Sequence, residues 1–196
     1  MRRLSPRFHR SSLLLAAAVA VACALPAQAA ILHYQGSLSG PAEFPVNASP
    51  GLGTTEVTID NVANTMRVQA TFVGLVGNTT ASHIHAPTVN PGTLTAGVAT
   101  TTPFFAGFPI GVKSGSYDNT LDLTLASSYN PSYVTANGGT TAGAEAALLA
   151  AIAAGKAYLN IHSTSVPGGE IRSFLTPFDP VPTQQSSWAR VKALYH

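Results

Sequence analysis

The sequence predicts an all-β protein, an antiparallel β-sandwich with one short helix. Three observations carry this. About eight short segments alternate apolar and polar residues with a period of two, clusters of Gly, Pro, Asn and Ser separate them at hairpin-like intervals, and one helical pattern occurs late in the chain. Sequential strands with turn signals favour an antiparallel sheet over a parallel α/β arrangement, which would need a helix after nearly every strand.

Taken in order, His33 to Leu38 reads as a first strand, broken by Ser39-Gly40-Pro41 and followed by the loop Asn47 to Gly53. Thr54 to Asp60 sets Val57 and Ile59 against Thr and Glu, and Asn61 to Asn64 forms the turn. Met66, Val68, Ala70 and Phe72 alternate with Arg67, Gln69 and Thr71, the clearest half-buried strand in the chain. Thr80 to His85 and Thr95 to Thr100 follow as short strands, and Pro103 to Gly111, with Phe104, Phe105 and Phe108, reads as a packed loop over an open end of the sandwich. Leu121, Leu123 and Leu125 mark a further strand, and Ser127 to Thr141 reads as loop. Ala142 to Ala154 is the helix, with Leu148, Leu149 and Ile152 as its stripe and Gly155 as its C-cap. Gly155 to Leu175 is a hairpin: Leu159 and Ile161 face one way, Tyr158, Asn160 and His162 the other, and Pro167-Gly168-Gly169 turns the chain.

The first residues read as an address. Arg2, Arg3, Arg7 and Arg10 precede an apolar run to Leu25, and Pro26-Ala27-Gln28-Ala29 offers a small-x-small cleavage pattern. The expected organisation is a signal peptide over 1–29, one domain over 30–177 and a flexible tail over 178–196, exported to the periplasm or the extracellular space. The run is shorter than the roughly 20 residues a spanning helix needs, and no later stretch could span a membrane. Without the leader, six basic residues remain against eight acidic ones, with no basic patch, so nucleic acid is not an expected partner. Cys23 is the single cysteine, so the mature chain has no disulfide and no thiol chemistry.

Four motifs in order then carry a resemblance: Leu38-Ser39-Gly40-Pro41-Ala42-Glu43-Phe44-Pro45, His83-Ile84-His85-Ala86-Pro87, Gly155 to His162, and Pro167-Gly168-Gly169-Glu170-Ile171-Arg172. Over roughly Leu32 to Leu175 the chain resembles the CHRD family, the domain first named in chordin. Ala86 and Ser173 stand where that family usually has glycine, which would relax the close packing those glycines permit. The resemblance implies a secreted, non-enzymatic binding or structural module whose partner is an unknown protein or extracellular ligand. In chordin the domain accompanies growth-factor-binding modules, and bacterial members have no settled activity.

The candidate site draws on the same motifs. In a strand, His83 and His85 share a face with backbones about 6.6 Å apart, so both rings can converge on one metal ion. His162 repeats the Ile-His pattern and would complete an open three-histidine site for copper or zinc, with His33 a further candidate. A His-x-His strand in a β-sandwich is also similar to copper/zinc superoxide dismutase, though the bridging-histidine loop, the cysteines and a nearby Asp are absent. The sandwich is thus expected to be Greek-key, immunoglobulin-like or superoxide-dismutase-like. On the alternative reading these histidines only hydrogen-bond loop backbone, and Asn160, Glu170, Arg172 and Glu43 form a structural polar cluster with a Glu170–Arg172 ion pair pinning the hairpin. No nucleophile elbow, phosphate loop or HExxH motif points to catalysis.

Overall fold

The computed structural model describes residues 31–180; the proposed signal peptide and most of the tail lie outside them. Among the described residues eight strands form: β1 (Ile31–Ser39), β2 (Leu52–Asp60), β3 (Thr65–Val73), β4 (Thr79–His85), β5 (Gly115–Asp122), β6 (Tyr158–Ser163), β7 (Ile171–Phe174) and β8 (Thr176–Pro177). Two helices, α1 (Pro131–Ala136) and α2 (Thr141–Ala153), lie between β5 and β6. The strands are hydrogen-bonded in the order β4-β6-β7-β1-β2-β3-β5, with β8 beside β1, and every ladder is antiparallel.

This is a sandwich because the path nearly breaks between β7 and β1, which share one residue pair, Ser39 with Arg172. The leaflet β4-β6-β7 is thereby free to fold over β1-β2-β3-β5. Ile84, Leu159, Ile161 and Ile171 of the first leaflet share one buried cluster with Tyr34, Val57, Ile59, Met66, Val68 and Phe72 of the second. The alternation read from β3 is the one observed: Met66, Val68, Ala70 and Phe72 are buried. In the β2–β3 turn, Asp60 Oδ1 accepts from the amides of Val62 and Ala63, and Asn64 takes a φ of 52°, a conformation asparagine tolerates.

Four local expectations are corrected. Thr95 to Thr100 forms no strand, only isolated bridges at Val98 and Thr100, because its carbonyls and amides serve β4 and the site. The strand expected around Leu121 to Leu125 instead runs from Gly115 to Asp122 and stops where Asp122 Oδ1 captures the amide and hydroxyl of Thr124. The stretch read as loop contains α1, whose Asn130 side chain caps the amide of Ser132 ahead of Pro131 in the first turn. Ser173 does not loosen the packing: β1 provides the room through Gly36, where a Cβ would collide with the Ser173 side chain. The expected helix is α2, capped by Thr140 Oγ1 on the Gly143 amide and followed by Gly155 at φ 66°.

Phe105 and Phe108 are buried, and Phe108 stacks on Phe72 at 5.6 Å, so this loop closes the core as the sequence suggested. No helix among the described residues is long and apolar enough to cross a membrane.

Candidate metal centre

β4, β6 and β7 bury both faces, and the face turned away from the apolar core is polar. Register fixes what it holds. His83 pairs with Asn160 and Asn160 with Arg172; His85 pairs with Tyr158 and Tyr158 with Phe174; Ala81 pairs with His162. Since successive strand side chains alternate, His83, His85, Tyr158, Asn160, His162 and Arg172 share this face, with Ile84, Leu159 and Ile161 behind them.

Each imidazole is held from behind by a backbone carbonyl. Nδ1 of His83 donates to Pro103 O at 3.2 Å, that of His85 to Ala96 O at 2.8 Å and that of His162 to Pro167 O at 2.8 Å. A carbonyl only accepts, so a neutral ring in each position carries its proton on Nδ1 and presents a lone pair at Nε2. These atoms converge: one ligand nitrogen from each ring lies within 4.8 Å of the others, and the Nε2 atoms of His83 and His162 are 3.1 Å apart. His85 Nε2 is buried with no hydrogen-bond partner.

Burial holds the rings neutral. It is the largest cause of the depression of His83 to about 3 and of His85 to about 4, with charge on neighbouring imidazoles acting in the same sense on both and Arg172 adding to it on His85. His162 is lowered for the same first reason, against the hydrogen bond to Pro167. Neutral imidazole is the form that ligates metal.

The fit to an ion follows from distance. Three nitrogens about 2.0–2.1 Å from a tetrahedral ion stand roughly 3.3 Å apart, and the His83–His162 pair at 3.1 Å already has that spacing. A backbone acceptor behind each ligating histidine is the outer-shell arrangement that fixes ring orientation. Imidazole donors without thiolate or carboxylate suit copper or zinc among the common ions.

Arg172 lies next to the cluster and is 3 % exposed. Its guanidinium donates to Ala42 O and Leu94 O, lies over the Tyr158 ring at 4.7 Å, and has Nε 3.8 Å from Glu43 Oε2. Tyr158 in turn stacks on His85 at 4.7 Å and 8°. Burial pushes the Glu43 carboxyl up to about 7, a rise that the Arg172 charge and the Phe44 amide restrain.

Glu170 is elsewhere, and the expected Glu170–Arg172 pair does not form. Gly169, at φ 129°, turns the chain just before β7, and the Glu170 carboxylate accepts from Ser49 Oγ and from the amides of Val76 and Gly77. Burial opposes ionisation there, but these bonds together with one from Ser163 outweigh it and hold the carboxyl below its usual value. Glu170 thus anchors the loop between β3 and β4, and Arg172 takes Glu43 instead. His33 is also remote: its ring contacts Thr58 Oγ1 at 3.3 Å and packs edge-on to Phe178 at 5.8 Å.

The four motifs recognised in the sequence therefore meet around one polar face, and an independent comparison agrees. The CHRD domain profile matches residues 34–175. The chain belongs to the CHRD domain family. No curated protein and no solved structure matches it. In this CHRD domain the family motifs supply the three imidazoles, Asn160, Glu43 and Arg172. Sequence reasoning missed the parts that hold them: the carbonyls of Ala96, Pro103 and Pro167, and Asn47, whose Nδ2 donates to Gly169 O and Glu170 O. A backbone acceptor leaves no mark in the sequence, and Asn47 reads there only as the start of a loop.

Proposed function

We propose that this CHRD domain is a metal-binding module that holds one copper or zinc ion on the Nε2 atoms of His83, His85 and His162. Family membership supports a binding or structural module in general. The observation that carries the metal reading is the convergence of three imidazoles whose Nδ1 atoms all face backbone carbonyls. A purely structural network would leave no buried acceptor unmet, yet His85 Nε2 has no partner, and with every Nδ1 protonated toward its carbonyl the Nε2 lone pairs of His83 and His162 face each other across 3.1 Å. A cation resolves both. The ion would supply charge and an open coordination position, while the chain fixes ring orientation and excludes bulk water.

The test is metal content by mass spectrometry on purified protein, then titration of the stripped protein with copper(II) and zinc. One ion per chain, lost in His83→Ala, His85→Ala and His162→Ala while the far-ultraviolet circular dichroism is retained, is the expected result. No binding at low micromolar ion concentration refutes it. We further propose that residues 1–29 are removed on export, which N-terminal sequencing of the protein from the periplasm or medium tests.

A further inference from the structure

Among the described residues, five buried side-chain atoms lack a hydrogen-bond partner, and three of them, His85 Nε2, Asn160 Oδ1 and Glu43 Oε1, belong to side chains of the metal centre or its border. Above about pH 7, with Glu43 ionised and His85 neutral, all three are acceptors, so what this region lacks there is donors or positive charge. A metal ion answers the nitrogen alone. The two oxygens remain, each on a side chain at most 5 % exposed, and a buried acceptor without a donor is costly.

Register puts Asn160 beside the imidazoles, and Glu43 lies beside Asn160. Asn160 is the cross-strand partner of His83 and stands two residues before His162 on the same strand, so its amide borders both rings. Asn160 and Glu43 meet under the β6–β7 loop: the point where Gly169 would carry a Cβ is 2.7 Å from Asn160 Oδ1 and 2.9 Å from Glu43 Oε1. The same loop supplies Pro167 O to His162. A Cβ there would lie under 3.0 Å from the Asn160 amide and from Glu43 Oε1, so the close approach of the loop to these side chains requires glycine. Arg172 donates to Ala42 O and Leu94 O and approaches the other Glu43 oxygen, Oε2, so Oε1 is left over.

We infer that Asn160 and Glu43 are positioning residues that accept hydrogen bonds from a water molecule in the metal's fourth coordination position. This rests on the three-imidazole reading above. Water has two hydrogens for two waiting acceptors, and three histidines plus one water complete a four-coordinate site. The arrangement also discriminates: a ligand with no hydrogen to donate, such as azide, would turn lone pairs toward both oxygens.

The experiment measures azide affinity of the copper(II)-loaded protein at about pH 8 by its visible absorption and electron paramagnetic resonance spectra, in wild type, Asn160→Ala and Glu43→Leu. Asn160→Ala removes one acceptor and Glu43→Leu the other. Both are expected to keep one ion per chain and to bind azide more tightly, by about tenfold, as water loses an anchoring hydrogen bond. A merely structural role would change unfolding and leave azide affinity alone. Unchanged azide affinity in both variants overturns the inference while the metal reading stands, and so does loss of the ion, which would make the residue a ligand. Absence of copper binding in wild type overturns both.

Discussion

Replacing His85 with Phe separates a metal ligand from a structural polar residue, because the change keeps the ring and removes both nitrogens. Phe can retain the stack on Tyr158, now at 4.7 Å. Two polar effects then oppose each other. Loss of the Nδ1 donor leaves the Ala96 carbonyl without that bond, at a cost of about 1–3 kcal/mol. Loss of Nε2, a buried acceptor with no partner, returns a similar amount, about 1–3 kcal/mol. The metal-free variant is therefore expected to unfold within about 1 kcal/mol of wild type. The response to metal does not cancel. At a free ion concentration 100 times Kd, wild type gains about 2.7 kcal/mol. For a domain of this size that is a Tm rise of roughly 5–10 °C, and the variant, with two imidazoles left, should show none of it. Urea and thermal unfolding followed by circular dichroism, with and without copper(II) or zinc, reads both quantities. A metal-free variant weakened by about 3 kcal/mol or more, together with a wild type indifferent to metal, would falsify the reasoning and return the histidines to a structural role.

The other predictions concern the surrounding polar groups. His83 and His85 have folded values below their ordinary one, so their stabilisation is present above pH 6.5 and lost as pH falls toward about 4 and then about 3. Glu43 acts oppositely: raised from 4.5 to about 7, it contributes stability below pH 4.5 that is lost as pH rises through 7. Glu43→Gln should therefore steepen the acid loss of metal-free stability by about 2 kcal/mol between pH 6.5 and 5; a parallel pH profile would contradict this. Glu170→Ala strips the amides of Val76 and Gly77 and the hydroxyl of Ser49 of their acceptor, and urea midpoints should show about 3 kcal/mol or more of destabilisation. Gly169→Ala places a Cβ against Asn160 and Glu43 at a φ of 129°, so it should lower both stability and metal affinity, whereas Gly168→Ala, with open space around it, should leave affinity unchanged.

The sandwich was legible where local pattern and tertiary environment agree. β3 alternates because one of its faces meets the core and the other is open, and α2 carries its own stripe in Leu148 and Ile152 and its stop signal in Gly155. Reading failed where backbone bonding leaves no periodicity. Residues 95–100 look like a strand, yet Ala99 and Thr100 both donate to Ile84 O while Ala96 O serves His85, so the segment is committed to β4 and the site and not to a ladder. β5 was placed too late because its buried residues Tyr117 and Leu121 are separated by exposed Asp118, Asn119 and Thr120, which hides the alternation.

At the site, the residues were legible and their partners were not. Two-residue spacing placed His83 beside His85 on one face, and Asn160 beside His162 likewise, and the repeated Ile-His pattern suggested that the strands meet. The same rule misassigned Glu170, since alternation holds only inside a strand and Gly169 interrupts it two residues before β7. Arg172 could not be matched to Glu43 from sequence, because their proximity depends on the single β1–β7 pair that sets where the two leaflets join.

That the imidazoles are oriented by loops gives metal binding a signature beyond the site. Ala96 and Pro103 belong to the connection between β4 and β5, and Pro167 to the loop between β6 and β7, so opening either connection releases a carbonyl that aims a ligand. The amides of Ala99 and Phe105, which donate to Ile84 O and Ser82 O, and that of Glu170, which donates to Ile161 O, report those openings. If opening requires the ion to leave, protection of these amides rises in proportion to ion concentration above Kd, by about 100-fold at 100 times Kd. An ion held by an unrelated surface group would leave them unchanged. Hydrogen exchange resolved to these three positions therefore distinguishes a metal that belongs to the fold from one that merely adheres to it.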